Sequence, residues 1–265
     1  MRARVNQVDI AYDDHGIGRP VIFLHAFPLN RNMWSDVTTA LLQEQRFRLV
    51  ALDWRGFGES EIDGGQVTME LFADDVAALM DALGMQRAIL CGLSMGGYAA
   101  FAFLRKYPER VGGLILADTR PGADTQEARA NRENVAQLAE QKGSEAIADL
   151  QLPKLISDCT RQQHPEVEAR IRHMIYAATP AGIAAASRGM ALRLDSTDLL
   201  VGITCPTLVI VGEQDGLTPP DVAREYAAKI PGVSFATIPQ AGHLSNLEQP
   251  EAFLRIIREF LLTHF

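Results

Sequence analysis

The stretch Cys91-Gly92-Leu93-Ser94-Met95-Gly96-Gly97 narrows the possible folds more than any other part of the chain. It stands between an apolar, strand-like run from Arg87 to Cys91 and a small-residue, helix-like run from Tyr98 to Tyr107. A serine at a sharp strand-to-helix turn takes a strained backbone conformation, so the residues two before and two after it must be nearly bare of side chain. Gly92 and Gly96 meet that demand, and the segment reads as a nucleophile elbow with Ser94 at its tip. The helix that follows would aim free amides and the positive end of its dipole at an anion forming beside the serine. Taken alone, Gly-x-Ser-x-Gly is a weak pattern whose other reading is a glycine-rich turn. The flanking strand and helix favour the elbow.

An elbow needs a parallel sheet around it, and the neighbouring sequence supplies one. Arg4 to Val5 and Val8 to Asp13 flank Asn6-Gln7 as a hairpin, with Val8, Ile10 and Tyr12 on one face, at an antiparallel edge. Val21 to Leu24 is a continuous apolar run of the kind expected for a strand covered on both faces. Met33 to Leu42 has helical character, Phe47 to Leu52 is a strand, and Asp53 to Ser60 is a glycine-punctuated loop. Thr68 to Leu83 carries Leu71, Phe72, Val76, Leu79 and Met80 at helical spacing, with Thr68 placed to cap its start. Val111 to Ala117 is again fully apolar. This βαβαβ succession calls for a mostly parallel central sheet with helices on both faces and right-handed crossovers.

From Asp118 to about Gly202 the strand signal disappears. Charged helical stretches take over at Ala128 to Gln141, Ser144 to Leu150 and Pro165 to Ala178, followed by an alanine-rich one from Gly182 to Leu194. This reads as an inserted helical cap, residues 120–201, on a core formed by residues 1–119 and 202–265. Sheet character resumes at Thr207 to Val211, a helix enters at Thr218-Pro219-Pro220, Val233 to Ile238 is a strand, and Pro250 to Thr263 closes the chain as a helix.

Composition bounds what such a domain could bind. The 265 residues are 47% apolar, enough for one large α/β domain with a sizeable core. The net charge of −8 argues against nucleic acid or an anionic membrane as the main ligand. Cys91, Cys159 and Cys205 have neither metal-ligand spacing nor the number for a disulfide framework, which suits a reducing compartment. Nothing at Met1 to Arg4 resembles a signal peptide and no run reaches membrane-spanning length, so the expected location is the cytoplasm. Gly56-x-Gly58 lacks the third glycine of a dinucleotide fingerprint. No cofactor and no metal are expected, and the oligomeric state is open.

A serine hydroxyl is a poor nucleophile until an imidazole takes its proton, and that imidazole needs a carboxylate to fix its tautomer. His243, in Gln240-Ala241-Gly242-His243-Leu244, lies in the loop after the last strand, where α/β sheets place their ligands. His15 and His264 near the termini, His164 and His173 in the cap, and His25 after an earlier strand are weaker candidates. His25 reads as a residue that ties down its own loop. Asp215 follows the strand Thr207 to Val211, and the order Ser94, Asp215, His243 is that of α/β hydrolases. Glu213 is the nearest competitor, and Asp118 is a topological alternative. Asp53 reads as a loop-bonding carboxylate. Oxyanion donors are expected at the Met95 amide and at the Phe27 amide. Leu29, Leu217 and Leu244 are candidate substrate-pocket residues, and Cys91 reads as a packed apolar residue.

Together, His25-Ala26-Phe27-Pro28, Asp53 to Ser60, the elbow, Gly212 to Pro219 and Gly242-His243 resemble the α/β-hydrolase superfamily over nearly the whole chain. Within it the chain is similar to bacterial carboxylesterases, aryl esterases and 3-oxoadipate enol-lactonases. The resemblance implies an α/β-hydrolase fold, a Ser94-Asp215-His243 triad, oxyanion amides from Phe27 and Met95, and a cap that shapes the pocket. One departure stands out: His25-Ala26 occupies the place where such relatives usually have His-Gly. Serine at position 94 argues against the haloalkane dehalogenases and epoxide hydrolases, which use an aspartate there.

The expected activity is hydrolysis of a small to medium, partly apolar carboxylic ester through an acyl-enzyme. Lactone hydrolysis is the alternative, and perhydrolase or C–C hydrolase chemistry can use the same triad. A reading from another class is a slow-turnover ligand receptor that keeps the hydrolase pocket, because a fold does not fix a function. Rapid turnover of a simple aryl acetate would separate enzyme from receptor.

Overall fold

A computed structural model describes all 265 residues. The chain opens with the hairpin β1 (Arg2–Val5) and β2 (Val8–His15), joined by Asn6 and Gln7, both at positive φ. Then follow β3 (Arg19–Leu24), a 3₁₀ turn at Arg31–Trp34 leading into α1 (Ser35–Leu41), β4 (Phe47–Leu52) and α2 (Met69–Ala82). The elbow joins β5 (Ala88–Leu93) to α3 (Met95–Lys106), and β6 (Val111–Ala117) follows. The helical insertion comprises α4 (Gln126–Leu155), α5 (Asp158–Gln163), α6 (Pro165–Tyr176) and α7 (Pro180–Ala191). The chain ends with β7 (Thr207–Gly212), α8 (Pro220–Ala227), β8 (Ser234–Ile238), the single turn α9 (Ser245–Glu248) and α10 (Pro250–His264).

The eight strands form one sheet in the order β1-β2-β4-β3-β5-β6-β7-β8. The β1–β2 and β2–β4 pairings are antiparallel and the rest are parallel. The hairpin thus forms the antiparallel edge, and Val8, Ile10 and Tyr12 are buried as their alternation requires. β5 and β7 are buried along their whole length, because helices cover both faces. The architecture is an α/β-hydrolase fold, a mostly parallel sheet flanked by helices and carrying an inserted helical cap. No helix is long and apolar enough to cross a membrane.

Local sequence explains most boundaries. Thr68 caps α2 through its side chain, which accepts from the Leu71 amide. Thr125, Ser157 and Thr179 do the same for α4, α5 and α7. α4 is broken at Gly143, where φ is 77° and ψ is −175°, a backbone state open to glycine. This break separates the two charged helical stretches expected there. The first expected helix, Met33 to Leu42, begins as a 3₁₀ turn, and two short helices, α5 and α9, had no periodic signal.

The loop after β4 is fastened by polar groups. Asp53 is fully buried and accepts from the Arg31 amide at 2.7 Å and the Glu59 amide at 2.9 Å. Two residues on, Arg55 forms a bidentate pair with Asp75 of α2, at 2.8 and 2.7 Å, with both residues buried. Removing one partner of such a pair leaves an uncompensated buried charge, which costs about 3–5 kcal/mol. Asp75→Ala is expected to lower unfolding free energy by that amount in a denaturant titration. A loss below about 1 kcal/mol would mean that Arg55 is compensated by Asp63, 3.2 Å away, or by water.

Candidate active site

The site is built at the carboxyl ends of β5, β7 and β8. Ser94 sits at the elbow with φ 53° and ψ −112°, outside the ordinary regions for a side-chain-bearing residue. Its neighbours hold it there. A Cβ on Gly92 would lie 2.4 Å from the Gly96 carbonyl oxygen, and one on Gly96 would lie 2.1 Å from the Leu24 carbonyl oxygen. Neither glycine has a positive φ. They are needed for close backbone approach rather than for an unusual conformation. The Ser94 amide donates to the Ala117 carbonyl at 3.0 Å, and Thr119 Oγ1 donates to the Ser94 carbonyl at 2.8 Å.

His243 Nε2 is 2.8 Å from Ser94 Oγ, and Nδ1 is 2.8 Å from Asp215 Oδ2. An ionised carboxylate can only accept, so the Nδ1 proton faces Asp215 and Nε2 is free to accept from the serine. Asp215 is held in turn by the Leu217 and Thr218 amides, at 2.8 and 2.9 Å, and by the Thr218 hydroxyl. Burial raises the Asp215 pKa, but the charge and hydrogen bond of His243 outweigh it and the net shift is downward. Burial likewise lowers the His243 pKa, while the Asp215 charge and hydrogen bond, with Asp118 and Glu248 adding, bring the net shift above the ordinary 6.5.

Asp118, the alternative acid, lies nearby but faces elsewhere. Its Oδ1 accepts from the Gly212 amide at 2.7 Å and its Oδ2 from the Ser245 hydroxyl at 2.5 Å. Burial, followed by the Asp215 charge, pushes its pKa well above the ordinary carboxylate range. Glu213 accepts from the exposed Gln240 amide and makes no contact with the imidazole. His25 is fully buried: Nδ1 faces the Ala26 carbonyl at 2.9 Å and Nε2 accepts from the Trp54 amide at 3.0 Å. Burial pulls its pKa down to about 3, so it is neutral at ordinary pH and fixes its own loop. The Cys91 thiol is pushed upward by burial and has no nucleophilic character.

The Phe27 and Met95 amides donate to no protein acceptor. Ala26, where a glycine was expected, has no positive φ, so the alanine fits without a glycine-only conformation. Its carbonyl accepts from the Leu29 amide, which shapes the turn that presents Phe27.

A cavity of about 210 Å³ opens beside Ser94 and His243, bounded by apolar Phe27, Tyr98, Leu155 and Leu217. Leu217 is among the residues lining it, whereas Leu29 and Leu244 are fully buried and are not. A larger surface depression of about 620 Å³, around Arg55, Asp74 and Lys106, contains none of these groups.

Sequence reasoning did not identify Glu248. It is buried, and its carboxylate accepts from the Gly242 amide at 2.8 Å on one side and from the Ser157 amide and Thr160 hydroxyl on the other, at 2.8 and 2.7 Å. The Leu244 amide donates to the Leu155 carbonyl at 3.0 Å. Both neighbours of His243 are therefore anchored to the helical insertion, Gly242 through Glu248 to the start of α5 and Leu244 directly to the end of α4. A carboxylate five residues after a histidine is too common a pattern to have signalled this.

Fold and geometry together define a serine hydrolase, with a Ser94-His243-Asp215 arrangement suited to ester-bond cleavage. The chain belongs to the α/β-hydrolase fold family, whose model matches residues 19–250. A thermophilic esterase from Thermogutta terrifontis, solved with malate bound, is 46% identical with a TM-score of 0.96, covering 100% of this chain and 99% of that one. The enol-lactonase from Burkholderia xenovorans LB400 is 30% identical with a TM-score of 0.91, covering 99% and 100%. The 3-oxoadipate enol-lactonase 2 of Acinetobacter baylyi is 30% identical over 88% of this chain and 85% of that protein. With this fold and arrangement the protein is a carboxylic ester hydrolase.

The two carboxylates make a direct test. Asp215→Asn offers a donor where the imidazole N–H needs an acceptor, so the tautomer reverses, and kcat should fall about 10³- to 10⁴-fold. Asp118→Asn should cost roughly tenfold or less, through loop packing. Steady-state kinetics of both variants would show an exchanged pattern if Asp118 were the acid.

Proposed function

We propose that the enzyme works through an acyl-enzyme with Ser94 as nucleophile, His243 as general base and then acid, and Asp215 as the carboxylate that orients the imidazole. Ser94 Oγ attacks the carbonyl carbon while its proton passes to His243 Nε2. The imidazolium gives that proton to the departing alcohol oxygen as the ester C–O bond breaks. Water, deprotonated by the same imidazole, then attacks the acyl carbon and frees Ser94. The Phe27 and Met95 amides receive the oxyanion, and the observation that supports them is that neither is used by the fold's own hydrogen bonds. Amides already fixed before the charge develops need little reorganisation when it does.

The observation that carries the whole reading is the unbroken line Asp215–His243–Ser94 with 2.8 Å at each step. The small cavity, below the roughly 300–1,000 Å³ of pockets for drug-sized ligands, supports a short substrate. The cap, residues 120–201, forms the wall opposite the sheet. Lactone hydrolysis is the second reading, favoured by the two enol-lactonase relatives at 30% identity. Ring opening needs the same steps, with the alcohol remaining on the acyl group. Three free cysteines fit a reducing, cytoplasmic setting.

Ser94→Ala should lower kcat by about 10⁴- to 10⁶-fold in an ester hydrolysis assay with the circular dichroism spectrum unchanged. Activity within tenfold of the parent enzyme would remove Ser94 from the mechanism.

The pH profile has a definite sign. Only the neutral imidazole accepts the serine proton, and His243 keeps its proton to a higher pH than a free histidine. The value of kcat/KM should therefore rise with pH through one ionisation whose midpoint lies above about 6.5. A midpoint on the acid side of that would contradict the ion pair with Asp215.

A further inference from the structure

The cavity beside Ser94 has one wall of a different chemistry from the rest. On the cap side it is lined by Arg120, Arg132 and Lys154, with Asn131 and Gln151 between them. The only carboxylate in the lining is Asp124, whose side chain is buried. Arg120 reaches Asp124 at 3.3 Å and Arg132 at 3.1 Å, and Arg193 behind the wall reaches it at 2.7 Å. One carboxylate is thus shared by three guanidinium groups. Burial raises the Asp124 pKa, but Arg132 and Arg193 more than reverse this, so it stays ionised and already committed to its neighbours.

The donors left over are numerous. Arg193 is fully used, donating to the Gly122 and Met190 carbonyls and lying over the Tyr98 ring at 4.1 Å. Arg132 spends only Nε on Asp124, which leaves both amino groups without a protein acceptor. Arg120 keeps a buried Nε with no partner. It also borders a small gap shared with Glu70, whose buried Oε1 is likewise unpartnered. Lys154 is exposed at the mouth and makes no ion pair. This excess of positive charge occurs in a chain of net charge −8. A cleft lined by one sign of charge concentrates ligands of the other sign, more strongly where its remaining walls are apolar, as they are here.

We infer that the natural substrate is a small ester or lactone bearing a free carboxylate, with its scissile carbonyl at Ser94 and its carboxylate held by Arg132 and Lys154, aided by Arg120. The inference rests on the ester-hydrolase reading for the reacting end and on the charge balance of the cap wall for the other. A guanidinium with two free amino groups matches a carboxylate in two parallel hydrogen bonds, and a flexible lysine at the mouth gives long-range attraction and a third. A neutral ester of the same shape would leave these donors without an anionic partner.

Matched pairs test this on both sides of the scissile bond. On the acyl side, monoethyl succinate is compared with ethyl isocaproate; on the alcohol side, β-acetoxypropionate is compared with isoamyl acetate. In each pair a carboxylate replaces an isopropyl group of nearly the same shape. At low ionic strength at least one carboxylate member should be preferred in kcat/KM by about tenfold or more. That preference should shrink as salt is added. Lys154→Gln and Arg132→Gln should each reduce the preference ratio several-fold, and Arg132→Lys should restore part of it. Lys154 has no structural partner, so that variant folds irrespective of the Asp124 network. Equal or better use of the neutral ester in both pairs, or a ratio indifferent to both glutamine variants, would overturn the inference. Calorimetry with succinate and succinamide on Ser94→Ala protein separates the two readings. Succinate binding that is weakened by Lys154→Gln upholds the anion site even if no ester is cleaved. Absence of any preference for succinate over succinamide overturns the site even if neutral esters are cleaved rapidly.

Discussion

The fit of α3 against β3 at the elbow is the constraint on which the rest of the site depends. The Leu24 carbonyl leaves no room for a side-chain carbon at residue 96, and the Gly96 carbonyl leaves none at residue 92. A contact this close lets the chain reverse within one residue and holds Ser94 at φ 53°. A third glycine extends the pattern, since a Cβ on Gly97 would lie 2.4 Å from Thr119 Oγ1, the atom that donates to the Ser94 carbonyl. The strained serine is therefore fastened on one side to β3 and on the other to the loop leaving β6. Backbone strain of this kind costs about 1–3 kcal/mol and persists only where the surroundings over-determine it.

Glu248 extends the same logic to the histidine. Its two oxygens bridge Gly242, next to His243, and the Ser157–Thr160 turn that starts α5. Because Leu244 also bonds to Leu155, the imidazole loop and the end of the first cap helix are one hydrogen-bonded unit. The cap is thus coupled to the position of the base. That same helix carries Lys154 next to the anchoring Leu155 and carries Arg132 beyond its break at Gly143. Part of the cationic lining of the cavity and the anchor of the His243 loop thus share one helix.

What the sequence made legible follows from where the information lies. Strands and the main helices are written in local periodicity, and the start of α2 at Thr68 could be read from its capping side chain. The triad was legible because each member follows a strand in a fixed order. Adjacency to Phe27 and His243 along a loop does not give side-chain direction, and Leu29 and Leu244, both fully buried, are not among the residues lining the cavity. The cationic wall was illegible for the converse reason. Arg132 lies in one charged helical stretch while Arg120 and Lys154 lie outside every stretch assigned, and only the folding of α4 at Gly143 brings Arg132 and Lys154, from its two halves, to one cavity. α5 and α9, of six and four residues, are too short to show a period at all.

The surroundings of Asp215 and Asp118 add a physical reason to the choice that chain order already favours. Both carboxyl groups are buried near one imidazole, and two like charges in a low-dielectric site cannot both be ionised cheaply. The surroundings separate them. Asp215 accepts from two amides, a hydroxyl and the imidazole, all of which favour its charged form. Asp118 has one amide and one hydroxyl, is wholly buried, and feels the Asp215 charge. Its pKa is pushed up while that of Asp215 is pushed down. Divergent environments of this kind assign roles to paired acids. Asp215 is the carboxylate placed against the imidazole, whereas Asp118 holds Gly212 and Ser245 in place. Asp118 thereby braces the loop after β7 from which Asp215 extends.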